Sequence, residues 1–322
     1  MKNIVILALD GMMDSGLAIT LDVLRTAAAL QSNSGLDIRV AGYGKSVGAG
    51  SGMQLACDLR LGDPAKWPVR PDWIVVPGMG MTSDAAASER LQQRDARAAM
   101  ALLRSLPGST QLGVACSSVF LLAEAGLLAG CRATTTWWLA SVFRRRYPDV
   151  RLDETRMLVR DGRFLTAGSA FAQLDLMLAI VGELGGVSAA ELCARYLLID
   201  QRPSQARYMV PTHTQQADPT VAAAERWIDA HLAEPVSIAE LAAALALSPK
   251  TLSRRVHAAV GISPLKLVQR RRLLQAAHLL QTTRLSIDRI ASRVGYQDGT
   301  ALRKIIKREF GTTPAALRSH GQ

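Results

Sequence analysis

The sequence predicts an α/β, doubly wound N-terminal domain followed by an all-α C-terminal domain with two helix-turn-helix units. Apolar runs of strand length alternate with amphipathic helical stretches through the first two-thirds of the chain, the pattern of a largely parallel sheet covered on both faces. No strand-like run occurs after about residue 220. Beyond that point a single pattern occurs twice, offset by 49 residues and, after one insertion, by 50.

The chain has 322 residues, too many for one ordinary domain. The opening run NIVILAL reads as a buried strand. It is short, an Asp follows it, and no small-residue cleavage site comes after, so it is not read as an export signal. A helical stretch continues through Leu30. LDIRVAGY is the next strand, then DWIVVPG after two prolines. A helix over about 88–106, the strand QLGVA, a helix over 117–128 and the strand RATTTW complete the alternation. Residues 1–210 are therefore expected to form one domain. The stretch PTHTQQADPT is polar, aperiodic and carries two prolines, which marks 211–219 as a linker. Residues 220–322 form the second domain.

Charge divides the same way. Residues 220–322 hold 16 Lys and Arg against 7 Asp and Glu, a net of +9; residues 1–219 hold 22 against 20, a net of +2. A basic module behind a near-neutral one suggests a nucleic-acid partner for the tail. No apolar run reaches the ~18–20 residues of a membrane span. Cys57, Cys116, Cys131 and Cys193 form no CxxC pair and are read as free thiols in a reducing cytoplasm. The glycine-rich GYGKSVGAGSG lacks the spacing of a phosphate-binding loop. No metal-ligand cluster appears in the sequence, so neither cofactor nor metal is expected.

The repeat pairs SIAELAAALALSPKTLSRRVHAAVGISP with SIDRIASRVGYQDGTALRKIIKREFGTTP. In the first copy Ile238, Leu241, Ala242 and Leu245 make one apolar helical face. Ser248 stands at an N-cap position with Pro249 at the first helical position. Leu252 and Val256 then face inward, while Lys250, Ser253, Arg254 and His257 share the opposite face. In the second copy Asp298 is the N-cap, Leu302, Ile306 and Phe310 face inward, and Thr300, Arg303, Lys304 and Lys307 face outward. An apolar back and a basic, hydrogen-bonding front describe a helix that enters the major groove of double-stranded DNA. The connecting stretch PLKLVQRRRLLQAAHLL is itself helical. Its Arg270, Arg271 and Arg272 are expected to meet either phosphates or carboxylates of the same chain.

With GISP and GTTPAALR closing the copies, residues 220–320 resemble the AraC/XylS transcription regulators. The resemblance implies DNA binding and contact with RNA polymerase as an activator. The front resembles the PfpI-type branch of the class I glutamine amidotransferase-like, flavodoxin-like fold, through DWIVVPGMG, GVACSSVFLLAEAGLLAG, RATTTWW and TAGSAFAQLDLMLAIV. That resemblance covers about residues 4–200. It implies a cysteine at a strained strand-to-helix elbow, where helix N-terminal amides favour the thiolate, with a histidine partner in a TTHW-like stretch. Here the stretch reads TTTW, and all five histidines follow residue 212. Thr136 occupies the histidine position, and a threonine hydroxyl cannot take up a proton near neutral pH. The glutamate that some relatives carry after the first strand is also not evident; Asp10 and Asp14 are the nearest carboxylates.

Front and tail together resemble the GlxA-type regulators. The resemblance implies a sensor and homodimerisation domain holding a small polar ligand, often nitrogenous, at the former active site. Candidate lining groups are Gly78, Met79 and Gly80, Cys116 and Ser117, Thr136 with Trp137, and Asp14. No catalytic residue is expected. The opposing readings, a thiol-based amidase or glyoxalase-like enzyme and a redox sensor, both rest on Cys116.

Overall fold

The computed structural model describes residues 1–30, 35–68, 70–200, 202, 204–205, 208–209 and 218–319. The chain divides into two compact units, Met1–Phe143 with Tyr147–Arg202, and Arg144–Arg146 with Pro203–Gln322. Of the predicted linker 211–219, only the last two residues are among those described.

The first unit is built on a seven-stranded sheet. Its strands are β1 (Lys2–Leu7), β2 (Leu36–Gly42), β5 (Leu59–Arg60), β6 (Trp73–Val76), β7 (Gln111–Ala115), β10 (Leu158–Asp161) and β11 (Phe164–Ala167), in the spatial order β10-β11-β7-β6-β1-β2-β5. All pairs are parallel except the edge hairpin β10–β11. Residues 4–7, 74–76 and 112 are shut from solvent, as continuous apolar strands covered on both faces must be. From β1 the chain moves to β2 on one side and, later, to β6, β7 and β11 on the other. This reversal makes the carboxyl ends of β1, β6 and β7 a topological switch point, the usual ligand crevice of such sheets. Helices α2 (Asp84–Gln92), α3 (Arg94–Ser105) and α4 (Val119–Glu124) form one group, and α5 (Ala140–Arg146) follows a 3-10 turn at Trp137–Leu139. Helix α1 (Asp14–Leu30) packs instead with α6 (Ala172–Gly185) and α7 (Val187–Tyr196).

Three elements differ from the sequence expectation. The helix expected over 88–106 is two helices, α2 and α3, broken at Gln93, which is extended at φ −65° and ψ 152°. The break lets Arg90 fork onto Asp95, at 2.8 and 2.6 Å, with both side chains nearly buried. The helix expected over 117–128 begins as a 3-10 turn at Cys116–Ser118, becomes regular only over α4, and is followed by Gly126 at φ +72°. RATTTW is a strand only at Arg132–Ala133 (β8), which pairs with Arg151–Leu152 (β9) outside the main sheet. Its threonines are held by side chains instead: the Thr134 amide donates to Thr166 Oγ1 at 2.9 Å, and the Thr135 hydroxyl donates to the Cys116 carbonyl at 2.7 Å. The glycine-rich stretch carries the short hairpin β3 (Ser46–Gly48) and β4 (Gln54–Ala56).

The second unit, over its described residues, has helices and no strand. A leading helix (Pro219–Ala230) precedes the first helix pair, Ile238–Ala244 and Pro249–Val260. A connector (Pro264–Thr282) leads to the second pair, Ile287–Arg293 and Gly299–Phe310, and to a short last helix at Pro314–Ser319. At 19 residues and ~1.5 Å per residue the connector spans about 28 Å. The repeat extends to the caps. Ser248 accepts from the Thr251 amide and Asp298 from the Ala301 amide. Gly261 and Gly311 both end their helices in the left-handed region, at φ +69° and +67°, as helix-terminating glycines do.

Candidate functional site

The elbow sits where β7 ends. Cys116 has φ +56°, a left-handed conformation that costs a non-glycine residue roughly 1–3 kcal/mol and persists only when its surroundings impose it. Three neighbouring hydroxyls impose it here. Ser118 Oγ donates to the Pro77 carbonyl at 2.5 Å, Ser117 Oγ accepts from the Met81 amide at 3.2 Å, and Thr135 holds the Cys116 carbonyl. The loop after β6 lies directly against the elbow. A Cβ on Gly78 would stand 2.9 Å from Cys116 Cβ, so only glycine fits. The start of α1 abuts the same loop: a Cβ on Gly16 would stand 3.2 Å from Pro77 Cβ.

Of the predicted ligand-lining residues, Gly78, Met79, Cys116, Ser117, Thr136 and Trp137 are buried. Gly80 is exposed, with φ +70° and Met13 beside it. Asp14 opens α1, but its carboxylate accepts from the Ser51 hydroxyl at 2.5 Å and the Ser51 amide at 3.0 Å. The Ser51 hydroxyl, with its amide, outweighs the small cost of burial and holds the Asp14 carboxyl below its ordinary range. Asp10 likewise accepts from the Gly48 amide at 3.0 Å. Both carboxylates clamp the glycine-rich turn.

Burial dominates the chemistry of Cys116. It pushes the thiol above its ordinary range, outweighing the opposing pull of the Ser117 amide, the Ser117 side chain and the Thr136 side chain. Thr136 Oγ1 is itself buried and makes no hydrogen bond of normal geometry among the described residues. The favouring of a thiolate by helix amides, which the resemblance implies for enzymes of this fold, is outweighed here. The helix after it is only six residues long, and desolvation wins.

Sequence reasoning missed the support beneath this site. Arg90, held by Asp95, also donates to the Asp10 carbonyl at 2.9 Å, and Asp95 accepts from the Asp10 amide at 3.0 Å. Burial raises the cost of the Asp95 charge, but the hydrogen bond and charge of Arg90, with the Asp10 and Ala96 amides, outweigh it and lower its pKa. Arg90 and Asp95 stand five residues apart within the stretch expected as one helix, and nothing in that spacing marks them as a buried pair.

In the second unit every predicted DNA-facing residue is exposed. Lys250, Ser253, Arg254 and His257 lie on one helix and Thr300, Arg303, Lys304 and Lys307 on the other. Leu252, Val256, Leu302, Ile306 and Phe310 close the opposite faces. Among the described residues, no hydrogen bond or ion pair within the chain engages the side chains of Lys250, Arg254, Arg303, Lys304 or Lys307. The connector's charges are used differently. Arg271 forks onto the Asp229 carboxylate, and Arg272 donates to two backbone carbonyls. Of the two partners left open by the sequence, Arg271 takes the carboxylate; Arg272 takes neither.

The model of the DJ-1/PfpI family matches residues 2–183, more than half of the chain. The chain belongs to the DJ-1/PfpI family. A helix-turn-helix domain matches residues 241–320, so a DJ-1/PfpI domain is joined to an AraC-type DNA-binding module. The HTH-type transcriptional regulator GbdR of Pseudomonas aeruginosa is 26% identical over 278 residues, covering 84% of this chain and 71% of that protein. The HTH-type transcriptional regulator GlxA of Rhizobium meliloti is 28% identical over 242 residues, covering 72% of this chain and 73% of that protein. A THiJ/PfpI family protein from Pseudomonas syringae shares the fold at TM-score 0.52 and 23% identity, over 67% of this chain and 84% of that one. In this DJ-1/PfpI domain the elbow cysteine is kept, while Thr136 stands where the resemblance places a histidine.

Proposed function

We propose that the protein is a cytoplasmic, sequence-specific transcriptional regulator, acting as an activator and controlled by a small polar, often nitrogenous metabolite bound by its DJ-1/PfpI domain. The observation that carries this reading is the pair of matched basic faces, both exposed, with their Lys and Arg side chains free of internal partners among the described residues. Arg and Lys on such faces can reach guanine edges or phosphates. The likeness to GbdR and GlxA over most of the chain supports the same reading.

In this proposal Lys250, Ser253, Arg254 and His257 form one reading face and Thr300, Arg303, Lys304 and Lys307 the other. The effector site is the loop cluster of Gly78, Met79, Gly80, Cys116, Ser117, Thr136 and Trp137, with Asp14 at its rim. The protein acts as a homodimer through the DJ-1/PfpI domain, and RNA polymerase is its second macromolecular partner. A thiol enzyme is disfavoured by the same site, because Cys116 is 1% exposed and its thiol is kept protonated. Full-length protein screened by thermal shift against amines, betaines and amino acids should show a selective rise in melting temperature. The hit should change affinity for an operator selected from random duplexes. Selection that enriches no sequence would overturn the regulator reading; an operator that no metabolite affects would overturn the sensor reading alone.

A further inference from the structure

The second unit has two separate hydrophobic cores. The leading helix, the first helix pair and the start of the connector, at Leu267 and Val268, form one. The later connector, from Leu273, and the second helix pair form the other. The cores meet along the connector at residues 269–272, where no apolar residue is buried. The relative placement of the two reading faces therefore depends on the connector and on whatever bridges this polar gap.

Arg272 bridges it. One guanidinium nitrogen donates to the Glu234 carbonyl, in the loop after the leading helix, at 2.5 Å. Another donates to the Gly295 carbonyl, in the turn of the second helix pair, at 3.1 Å. The planar fork of an arginine suits two acceptors held at fixed angles. Gly295 is fitted to the junction. It has φ +74°, and a Cβ there would collide with the Leu232 carbonyl and the Arg272 guanidinium. The first copy has Ala246 at the matching turn position, also left-handed at φ +53° but exposed.

Building on the DNA-reading faces above, we propose that the Arg272–Gly295 junction fixes the distance and helical phase between them, and so determines which spacing of operator elements the protein accepts. One inserted base pair moves an element by about 3.4 Å and turns it by about 35°. A pair of faces locked through Arg272 cannot follow that displacement; without it there remain the connector and the partly exposed Lys266–Glu309 pair at 3.2 Å, which can bend toward it. Arg272 is thus a positioning residue that touches no DNA.

The test uses full-length protein and an operator selected from random-sequence duplexes, with variants carrying one base pair more or fewer between the two contacted elements. Wild-type protein should lose at least tenfold in affinity on either variant. Arg272→Ala should bind the parent operator less tightly, yet lose under threefold on the respaced ones. Arg272→Lys keeps the charge and stem but not the fork, and should also show relaxed spacing; it decides the matter if circular dichroism finds Arg272→Ala misfolded. A uniform drop across all spacings, with the wild-type ratio kept, would mark the junction as merely structural and overturn the proposal. Wild-type indifference to spacing would overturn it too, while leaving DNA reading intact. Failure to select any sequence would sink the DNA reading itself.

Discussion

The elbow and the reading faces are built on opposite principles. At the elbow the reactive groups are already engaged by the chain: Cys116 is buried with its thiol pushed above its ordinary range, and the Asp14 carboxylate, at the rim, is held by Ser51. On the reading faces the cations are left outside with no partner in the chain among the described residues. A buried group acts only through shape and the few hydrogen bonds it can still make, whereas an exposed cation keeps its charge for an outside partner. The second unit keeps its charge exposed, while the elbow of the first offers shape and few free polar groups.

The largest expected effect would show that the two regions are energetically separate. Arg90→Ala leaves Asp95 buried without its cation, and loss of one partner of a buried pair costs about 3–5 kcal/mol. Thermal unfolding should register this, while folded protein should keep its DNA affinity; joint loss of both would break the separation. The same pair sets an acid limit. The folded pKa of Asp95 is lowered, so its stabilisation is complete above the ordinary carboxylate pKa of about 4 and is lost as pH falls through the folded value. Asp95→Asn should flatten that acid-side loss.

Lys304→Ala and Arg254→Ala should each weaken operator binding by about 1–3 kcal/mol if they read bases. Gel shifts in a salt series would separate this from phosphate contact, which lowers the salt slope. Unchanged affinity in both variants would remove the assignment of the faces. At the elbow, Gly78→Val should cost about 1–3 kcal/mol by overpacking against Cys116, read as a lower melting temperature. Ala246→Gly should raise stability by about 1 kcal/mol, because glycine adopts the left-handed turn without penalty. The smallest effect is chemical. Iodoacetamide should label the half-buried Cys57 and Cys131 before Cys116, and early labelling of Cys116 would break the picture of a sealed thiol.

Much of this was legible from the chain. Strands β1, β2, β6 and β7 follow apolar runs that only a covered sheet accommodates. The second unit was legible to the level of single caps, because Ser248, Asp298, Gly261 and Gly311 are local signals repeated in register. The edge hairpin β10–β11 was missed. So was the Gln93 break, which accompanies the fork of Arg90 onto Asp95 and its long-range bond to the Asp10 carbonyl. RATTTW has β-branched residues suited to a strand, yet side-chain bonds to Thr166, Arg156 and Cys116 pull it out of the ladder.

The sequence by itself determined the two-domain architecture, the repeated helix pairs, their basic faces and the missing histidine, because periodicity, caps and residue identity are local properties. The tertiary structure alone decided that Cys116 is sealed and protonated, that Asp14 is already bound, and that Arg272 joins two cores rather than reaching outward. Each of those outcomes depends on desolvation and on acceptors brought from distant stretches of the chain, and neither can be read from spacing.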